Sequence, residues 1–353
     1  MKIRNFGIYS HAAILAAVFS ATAFAAGKPF NPDTSVNFLG LIQQGNQGSN
    51  DRNAVSHNGA QLQEAEVQFL SDVDPYLRAN ALLSISPNGK GDFGIDPEEV
   101  FLETTTVPYV TLKAGKFKTA LGKHNQLHTH AFPFIDAPLI HQRLLGDEGL
   151  NESGVSAATL IPVSWFMEFT LQGVSNSNST LYGSPSSGDF AEVAHLKNLF
   201  DLTEDLTMES GFSGTQGPNQ WGSKSNVFGA DLTFKWRPAE GGKYKAIIWS
   251  TEYLDGKLLG KPTGSTLGGI ASWVQYQFAE RWWVQGRYEF VGLPRSSDTP
   301  AQNKQSALLA FFPSEFSGFR VQYDHLAQKD LPAGHNIAFQ YNITIGAHPA
   351  HAY

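Results

Sequence analysis

Apolar and polar side chains alternate along most of this chain with a period of two. Ile337, Phe339, Tyr341, Ile343 and Ile345 alternate with Ala338, Gln340, Asn342, Thr344 and Gly346. Successive side chains of a β-strand point to opposite faces, so such a stretch predicts a strand with one oily and one wet face. The same period returns in Ala65, Val67 and Phe69, in Ala230, Leu232, Phe234 and Trp236, and in Val274, Tyr276 and Phe278. Predicted strand centres fall near residues 38, 68, 80, 102, 113, 157, 169, 198, 210, 231, 249, 274, 286, 309, 321 and 341. That is sixteen, an even number, as a single-chain bacterial barrel requires.

The connections alternate as well. Short turns such as Asp72-Val73-Asp74-Pro75, Val107-Pro108, Arg237-Pro238-Ala239 and Ala279-Glu280-Arg281 are predicted between long polar stretches such as 43–62, 118–152 and 174–193. Short turns at one end and long loops at the other are the pattern of an outer-membrane barrel. A soluble sandwich or solenoid gives no reason for it. Trp165, Trp236, Trp249, Trp282 and Tyr288 stand near strand ends, where interfacial aromatics belong, although ordinary β-propensity accounts for them almost as well.

Composition narrows the class. After the first residues there is no long apolar run, which excludes a helical membrane protein, yet aromatic residues reach 12%. Lys2 and Arg4, an apolar run from Ala12 to Phe19, and Ala23-Phe24-Ala25 read as a secretory signal peptide cut after Ala25. The expected organisation is a signal peptide over 1–25 and an outer-membrane β-barrel over 26–353. Loss of Lys2 and Arg4 makes a formal charge of −7 more negative still, which argues against nucleic-acid binding. The chain has no cysteine, so neither disulfides nor thiolate metal sites are available. The predicted fold is all-β: a 16-stranded antiparallel transmembrane β-barrel with its third extracellular loop folded into the lumen.

If the apolar face meets lipid, the lumen carries Glu64, Glu66, Asp72, Glu99, Glu103, Glu168, Glu209, Asp231, Glu252, Glu289 and Asp324. Arg78, Lys113, Lys235, Arg287 and Arg320 face them, so the wall is net acidic and favours cations. The loop 118–152 is the longest, and it holds Leu127, Phe132, Phe134, Ile135, Leu139, Ile140, Leu144, Leu145 and Leu150. Such a loop needs a surface to pack on, and the barrel interior is the one available. Lys113, Lys116, Lys118, Lys123, Asp136, Arg143, Asp147 and Glu148 are the candidate constriction residues.

Lys113-Ala-Gly-Lys116-Phe-Lys118, Leu121-Gly-Lys123, Phe134-Ile-Asp136-Ala-Pro-Leu139 and Leu145-Gly-Asp147-Glu148-Gly-Leu150-Asn-Glu152-Ser-Gly154-Val155 carry a resemblance. This set resembles outer-membrane porins related to the phosphate-selective O and P type. It is closer still to a group described as zinc-regulated outer-membrane receptors, whose carboxyl end is similar to Gly346-Ala-His348-Pro-Ala-His351-Ala-Tyr353. The resemblance implies a sixteen-stranded pore with the third loop inside it, assembled as a homotrimer. Phosphate-selective members depend on a ladder of basic residues, and the acidic wall departs from that.

His124, His128, His130 and His141 place four imidazoles in the same loop, a ligand set competent for Zn²⁺. Hydrogen bonding to the barrel wall explains such histidines equally well. No cofactor is required, and Zn²⁺ is the candidate ion. The expected function is a channel passing small hydrophilic solutes or ions across the bacterial outer membrane. A zinc-related uptake receptor is the alternative. Expected partners are outer-membrane lipid and lipopolysaccharide, with the barrel assembly machinery reading the aromatic Tyr353 tail. No serine sits in a nucleophile motif, and His195 and His325 are isolated, so an enzyme is not expected.

Overall fold

The structure, a computed structural model, describes residues 32–46, 58–87, 92–184, 186, 188–293 and 300–346. The predicted signal segment 1–25 and the tail carrying His348, His351 and Tyr353 lie outside the described residues. The strands all fall in one compact unit, Asp33–Tyr353.

Sixteen strands form: β1 (Asp33–Gly45), β2 (Gly59–Asp72), β3 (Leu77–Pro87), β4 (Phe93–Thr104), β5 (Val110–Lys118), β6 (Asn151–Leu160), β7 (Phe166–Ser175), β8 (Phe190–Asp201), β9 (Leu206–Pro218), β10 (Lys224–Trp236), β11 (Ala246–Leu258), β12 (Thr266–Ala279), β13 (Trp282–Leu293), β14 (Gln302–Ser314), β15 (Ser317–Gln328) and β16 (Gly334–Gly346). Every predicted centre falls inside its strand. Each strand pairs antiparallel with the next, and β1 pairs with β16 from Ser35↔Gly346 to Gly45↔Asn336. The sheet is a closed barrel with no terminal strand left unpaired.

The period-two pattern sorts as expected. On β15, Arg320, Gln322 and Asp324 are buried while Phe319, Val321 and Tyr323 are exposed. On β13, Gln285, Arg287 and Glu289 are buried while Val284 and Tyr288 are exposed. An apolar exposed face around a polar interior suits hydrocarbon outside and water within. Aromatics gather where the short turns lie: Trp165 stacks on Phe200 at 5.7 Å, and Trp282 packs on Phe311 at 4.6 Å.

Two departures from regularity matter. A bulge between Leu82 and Leu83 skips one residue of β4, so Leu82 opposes Glu99 and Leu83 opposes Pro97. The extra residue lets Glu98 and Glu99 both turn inward, which strict alternation forbids. Strand β4 pairs with β5 only from Val100↔Lys116 to Glu103↔Lys113, and beyond that the two part. The segment between β5 and β6 follows the end of β5, where the pairing with β4 has already stopped. Asn151 Nδ2 reaches across this seam to the Glu98 carbonyl at 2.8 Å.

The turn at Asp74 is tight because its Oδ1 accepts the Tyr76 and Leu77 N–H groups at 2.7 and 2.9 Å. The turn expected at Arg237-Pro238-Ala239 is longer, running to Lys245, whose N–H donates to the Gly241 carbonyl at 3.2 Å. Connection lengths therefore alternate less strictly than the sequence suggests.

Leu309 stands exposed near the middle of β14. Leu309→Arg is expected to cost about 2–4 kcal/mol in lipid, the usual penalty for a cation on the outer face at mid-depth. Equilibrium refolding into vesicles measures it. Leu309→Ala, which adds no charge, should cost much less.

Candidate functional site

Between β5 and β6 the chain makes two short 3₁₀ turns, at His124–Gln126 and Thr129–Ala131, and one helix, α1 (Leu139–Leu145). Pro138 precedes the helix, the Gln142 N–H closes its first turn on the Pro138 carbonyl at 3.1 Å, and Gly146 ends it at φ +84°. Near its roots the segment clips to itself. Asn125 donates to the Thr119 and Leu150 carbonyls at 2.9 and 3.1 Å and accepts the Leu150 N–H at 2.7 Å.

The apolar residues that set this loop apart are its packing face. Leu139, Ile140, Leu144, Leu145 and Leu150 share a buried cluster with Val193, Val227, Leu254, Leu258 and Val291 of the strands. Phe134 and Ile135 share a second with Leu41, Trp273, Leu308 and Ala338. Strand glycines make room for the helix. At Gly256 a Cβ would lie 2.4 Å from Leu144 Cδ1, so only glycine lets Leu144 sit where it does.

Polar contacts bind the loop to strands all round the barrel. Asp136 accepts Arg287 Nη2 at 2.8 and 2.9 Å, Lys304 Nζ at 2.5 Å and Gln322 Nε2 at 2.6 Å, so a single carboxylate ties β13, β14 and β15 together. Arg287 also lies over the Phe134 ring at 4.4 Å. Burial would raise the Asp136 carboxyl, but Arg287 and Lys304 hold it well below the usual carboxylate range. Arg320 donates to the Phe132 carbonyl at 2.6 Å. At the other end, Gly122 N–H donates to Ser213 Oγ at 3.0 Å, while Lys123 and His124 N–H groups donate to the Glu252 carboxylate at 3.1 and 3.2 Å.

The four loop histidines separate into two pairs. His128 and His130 stack with ring centroids 5.9 Å apart, against the β2–β4 wall. His128 Nδ1 is 3.1 Å from Glu98 and its Nε2 is 3.2 Å from Glu99, while His130 Nδ1 meets Glu66. Burial opposes the charge on His128, but hydrogen bonds with Glu98 and Glu99 raise it to about 10. His124 and His141 form the second pair, edge to face at 4.9 Å, and His141 Nε2 is 3.3 Å from Glu252 Oε1. Burial, with His141 and Arg287 nearby, keeps His124 neutral and well below the usual histidine range.

The other candidate residues are dispersed. Lys118 pairs with Glu98 at 2.8 Å, Lys123 with Glu209 at 2.9 Å, and Arg143 with the Gln302 amide oxygen at 2.9 Å. Lys113 lies over the Phe101 ring at 4.2 Å. Lys116 is out of phase with Lys113, opposite exposed Val100 and on the strand face of exposed Leu112, so strand alternation turns it away from Lys113. Asp72, expected on the inward wall, is instead exposed at the end of β2, paired with Arg78 at 2.9 Å. Glu98, Lys304 and Lys197 belong to the site's charge pattern and are missing from the sequence reading. The bulge hides Glu98, and Lys304 stands in a polar run without clear alternation.

Between the loop and strands β1–β5 and β14–β16 remains a cavity of about 320 Å³. Glu64, Glu98, Asp136, Asp147, Glu148 and Asp324 line it, against Lys118 and Lys304, with His124 and His141 at its border.

No family model matches the chain. It is 25% identical over 359 residues to a protein of Aquifex aeolicus (strain VF5) described as uncharacterized, covering 88% of this chain and 74% of that one. Among solved structures, OprB of Pseudomonas putida is similar with a TM-score of 0.62 at 6% identity, over 89% of this chain and 94% of its own. The outer membrane channel DcaP of Acinetobacter baumannii gives 0.59 at 8%, over 89% and 96%. A trimer form of in-vitro folded OmpT from Vibrio cholerae gives 0.56 at 12%, over 89% and 98%. The barrel is thus the sixteen-stranded fold of outer-membrane porins.

Arg287 and Lys304 are buried and share Asp136, so Asp136→Asn leaves cations short of a partner. Breaking a buried pair from one side costs about 3–5 kcal/mol. The variant is expected to release residues 124–140 to limited proteolysis while the barrel stays folded in detergent. A histidine raised by folding contributes stability that is complete below about 6.5 and is lost as pH rises through the folded value. His128 sits at about 10 in the fold, facing Glu98 and Glu99, with Lys118 beside them. Loop protection should therefore weaken between about pH 6.5 and 10, and His128→Gln should flatten that dependence.

Proposed function

We propose that this chain is an outer-membrane channel for small hydrophilic solutes or ions, exported by cleavage of the segment 1–25. Residues 118–152 fold into the lumen as its constriction. The observation that carries this reading is the seating of the loop. Its residues bond to side chains of β2, β4, β9, β11, β13, β14, β15 and β16 on the buried face of a closed sheet, and a short segment reaches such distant strands most directly through the interior. The likeness to porin structures supports the outer-membrane location. The trimer form of the OmpT neighbour, with the motif resemblance, supports a homotrimer.

The channel prefers cations. Carboxylates outnumber ammonium groups around the 320 Å³ cavity, and a low-dielectric wall focuses their field. A phosphate preference finds less support, because Lys118 and Lys123 are engaged by carboxylates and Lys116 lies on the other strand face. The similar structures are porins and channels, and we read the protein as a channel whose partners are lipid, lipopolysaccharide and the assembly machinery.

Reversal potential across a planar bilayer under a potassium chloride gradient at neutral pH is expected to show cation preference, and anion preference would overturn it. The constriction is tested separately. The chain has no cysteine, so Glu148→Cys is a unique thiol beside the cavity. A cationic methanethiosulfonate reagent should lower single-channel conductance of Glu148→Cys and leave Leu309→Cys, on the outer face, unchanged. Equal conductance before and after modification of a labelled Glu148→Cys would remove the loop from the conduction path.

A further inference from the structure

Three lysines gather on the outward side of the barrel, at the end where the long loops lie. Lys224 opens β10, Lys257 stands near the end of β11, and Lys261 follows in the turn after it. On β10, buried Ser225 and Val227 face inward, so Lys224 and Asn226 share the outward face with exposed Phe228. On β11, buried Leu254 and Leu258 face inward, which leaves Lys257 outward with Tyr253 and Asp255. Asn226 opposes Lys257, and the Leu259 N–H donates to the Lys224 carbonyl at 3.0 Å. Lys224 and Lys257 are therefore diagonal neighbours, with Cβ atoms about 7–8 Å apart.

The turns that carry them are braced against each other. Asn219 Nδ2 donates to the Leu259 carbonyl at 2.9 Å, while its Oδ1 accepts the Trp221 and Ser223 N–H groups at 3.1 Å. Gly260, at φ +82°, lets the second turn lie on the first, since a Cβ there would come within 3.1 Å of the Trp221 carbonyl oxygen. Trp221 packs on the buried cluster that holds α1, and Lys261 Nζ sits over its ring at 5.5 Å. None of the three ammonium groups has a carboxylate partner among the described residues. Asp255 offsets one of the three charges, and the patch stays net positive.

Height on the wall decides what such a patch meets. Lys257 lies eight residues along β11 from Trp249, which stacks on Phe234 at 5.5 Å near the short-turn end. For a strand tilted about 40° that is roughly 20 Å across the membrane, against an apolar band of about 25 Å. The lysines thus stand near the outer edge of the band, at the level of lipid headgroups. Exposed Phe212 and Phe228 lie directly beneath them. We infer that Lys224, Lys257 and Lys261 form a docking site for the phosphates of one lipopolysaccharide molecule, whose acyl chains run down over Phe212 and Phe228. Free cations at headgroup level above an apolar face match a ligand that is anionic at one end only, which a soluble anion is not. The inference rests on the outer-membrane placement proposed above and gives its lipopolysaccharide partner a place on the wall.

The test adds bisphosphorylated lipid A to mature protein stripped of lipid in detergent, and native mass spectrometry reads what is retained. One lipid A per chain is expected, and dephosphorylated lipid A should be held weakly. Each lysine at an anionic lipid surface contributes roughly fivefold, so Lys224→Gln, Lys257→Gln and Lys261→Gln together should weaken retention on the order of a hundredfold. Lys243→Gln with Lys245→Gln, at the short-turn end, should leave it unchanged. Heat-modifiable migration on gels shows that each variant folds. Retention that survives the triple substitution, or phosphatidylglycerol held as firmly as lipid A, would overturn the site. Orientation is read separately, because Thr263→Cys is a unique thiol in the same exposed turn and should react with an impermeant maleimide on intact cells. Reaction only after lysis would overturn the placement of this rim at the outer leaflet. A labelled Thr263→Cys with retention indifferent to the three lysines would overturn this inference alone.

Discussion

Backbone hydrogen bonding around a closed ring is the constraint on which the rest of this molecule depends. A strand in hydrocarbon has no water to satisfy its amides, so each must find a neighbour, and the β1–β16 ladder lets all sixteen do so. Closure fixes which way every side chain points. It makes one face continuous and apolar, and it gathers the charges on the other. At the β4–β5 seam the ladder is short, running only from Val100↔Lys116 to Glu103↔Lys113, and the longest connection follows β5 there.

That connection is held by charge as much as by oil. Asp136 gathers Arg287, Lys304 and Gln322, while Glu66, Glu98 and Glu99 receive His130, His128 and Lys118 from the other side. The helix α1 then presses Ile140 and Leu144 onto strand glycines. Ion pairs to two separate parts of the wall, together with this apolar contact, hold the segment at several points.

The fold was legible because a period of two is a property of neighbours in sequence, and sixteen predicted centres land in sixteen strands. The loop's oiliness was legible for the same reason, since Phe134, Ile140 and Leu144 are out of place in water. What the sequence hides is whatever depends on register. Glu98 faces inward because of one inserted residue, and Lys116 stands apart because it is one residue out of phase with Lys113. The four histidines look equivalent along the chain. Only the strands behind them, acidic and ion-paired at β2 and β4 but bringing one fixed carboxylate at β11, make them two kinds of residue.

The seat of the loop also orders events in time. Asn342 meets the His130 carbonyl across 212 residues of chain, and Gln322 meets Asp136 across 186. Contacts so distant in sequence form late, because the chain between them must first be ordered. Residues 119–150 therefore cannot settle while the carboxyl-terminal strands are still being laid down. During that interval Phe134, Ile140 and Leu144 lack their partners on β11–β14, which makes the nearly complete barrel the species most exposed to sticking to its neighbours.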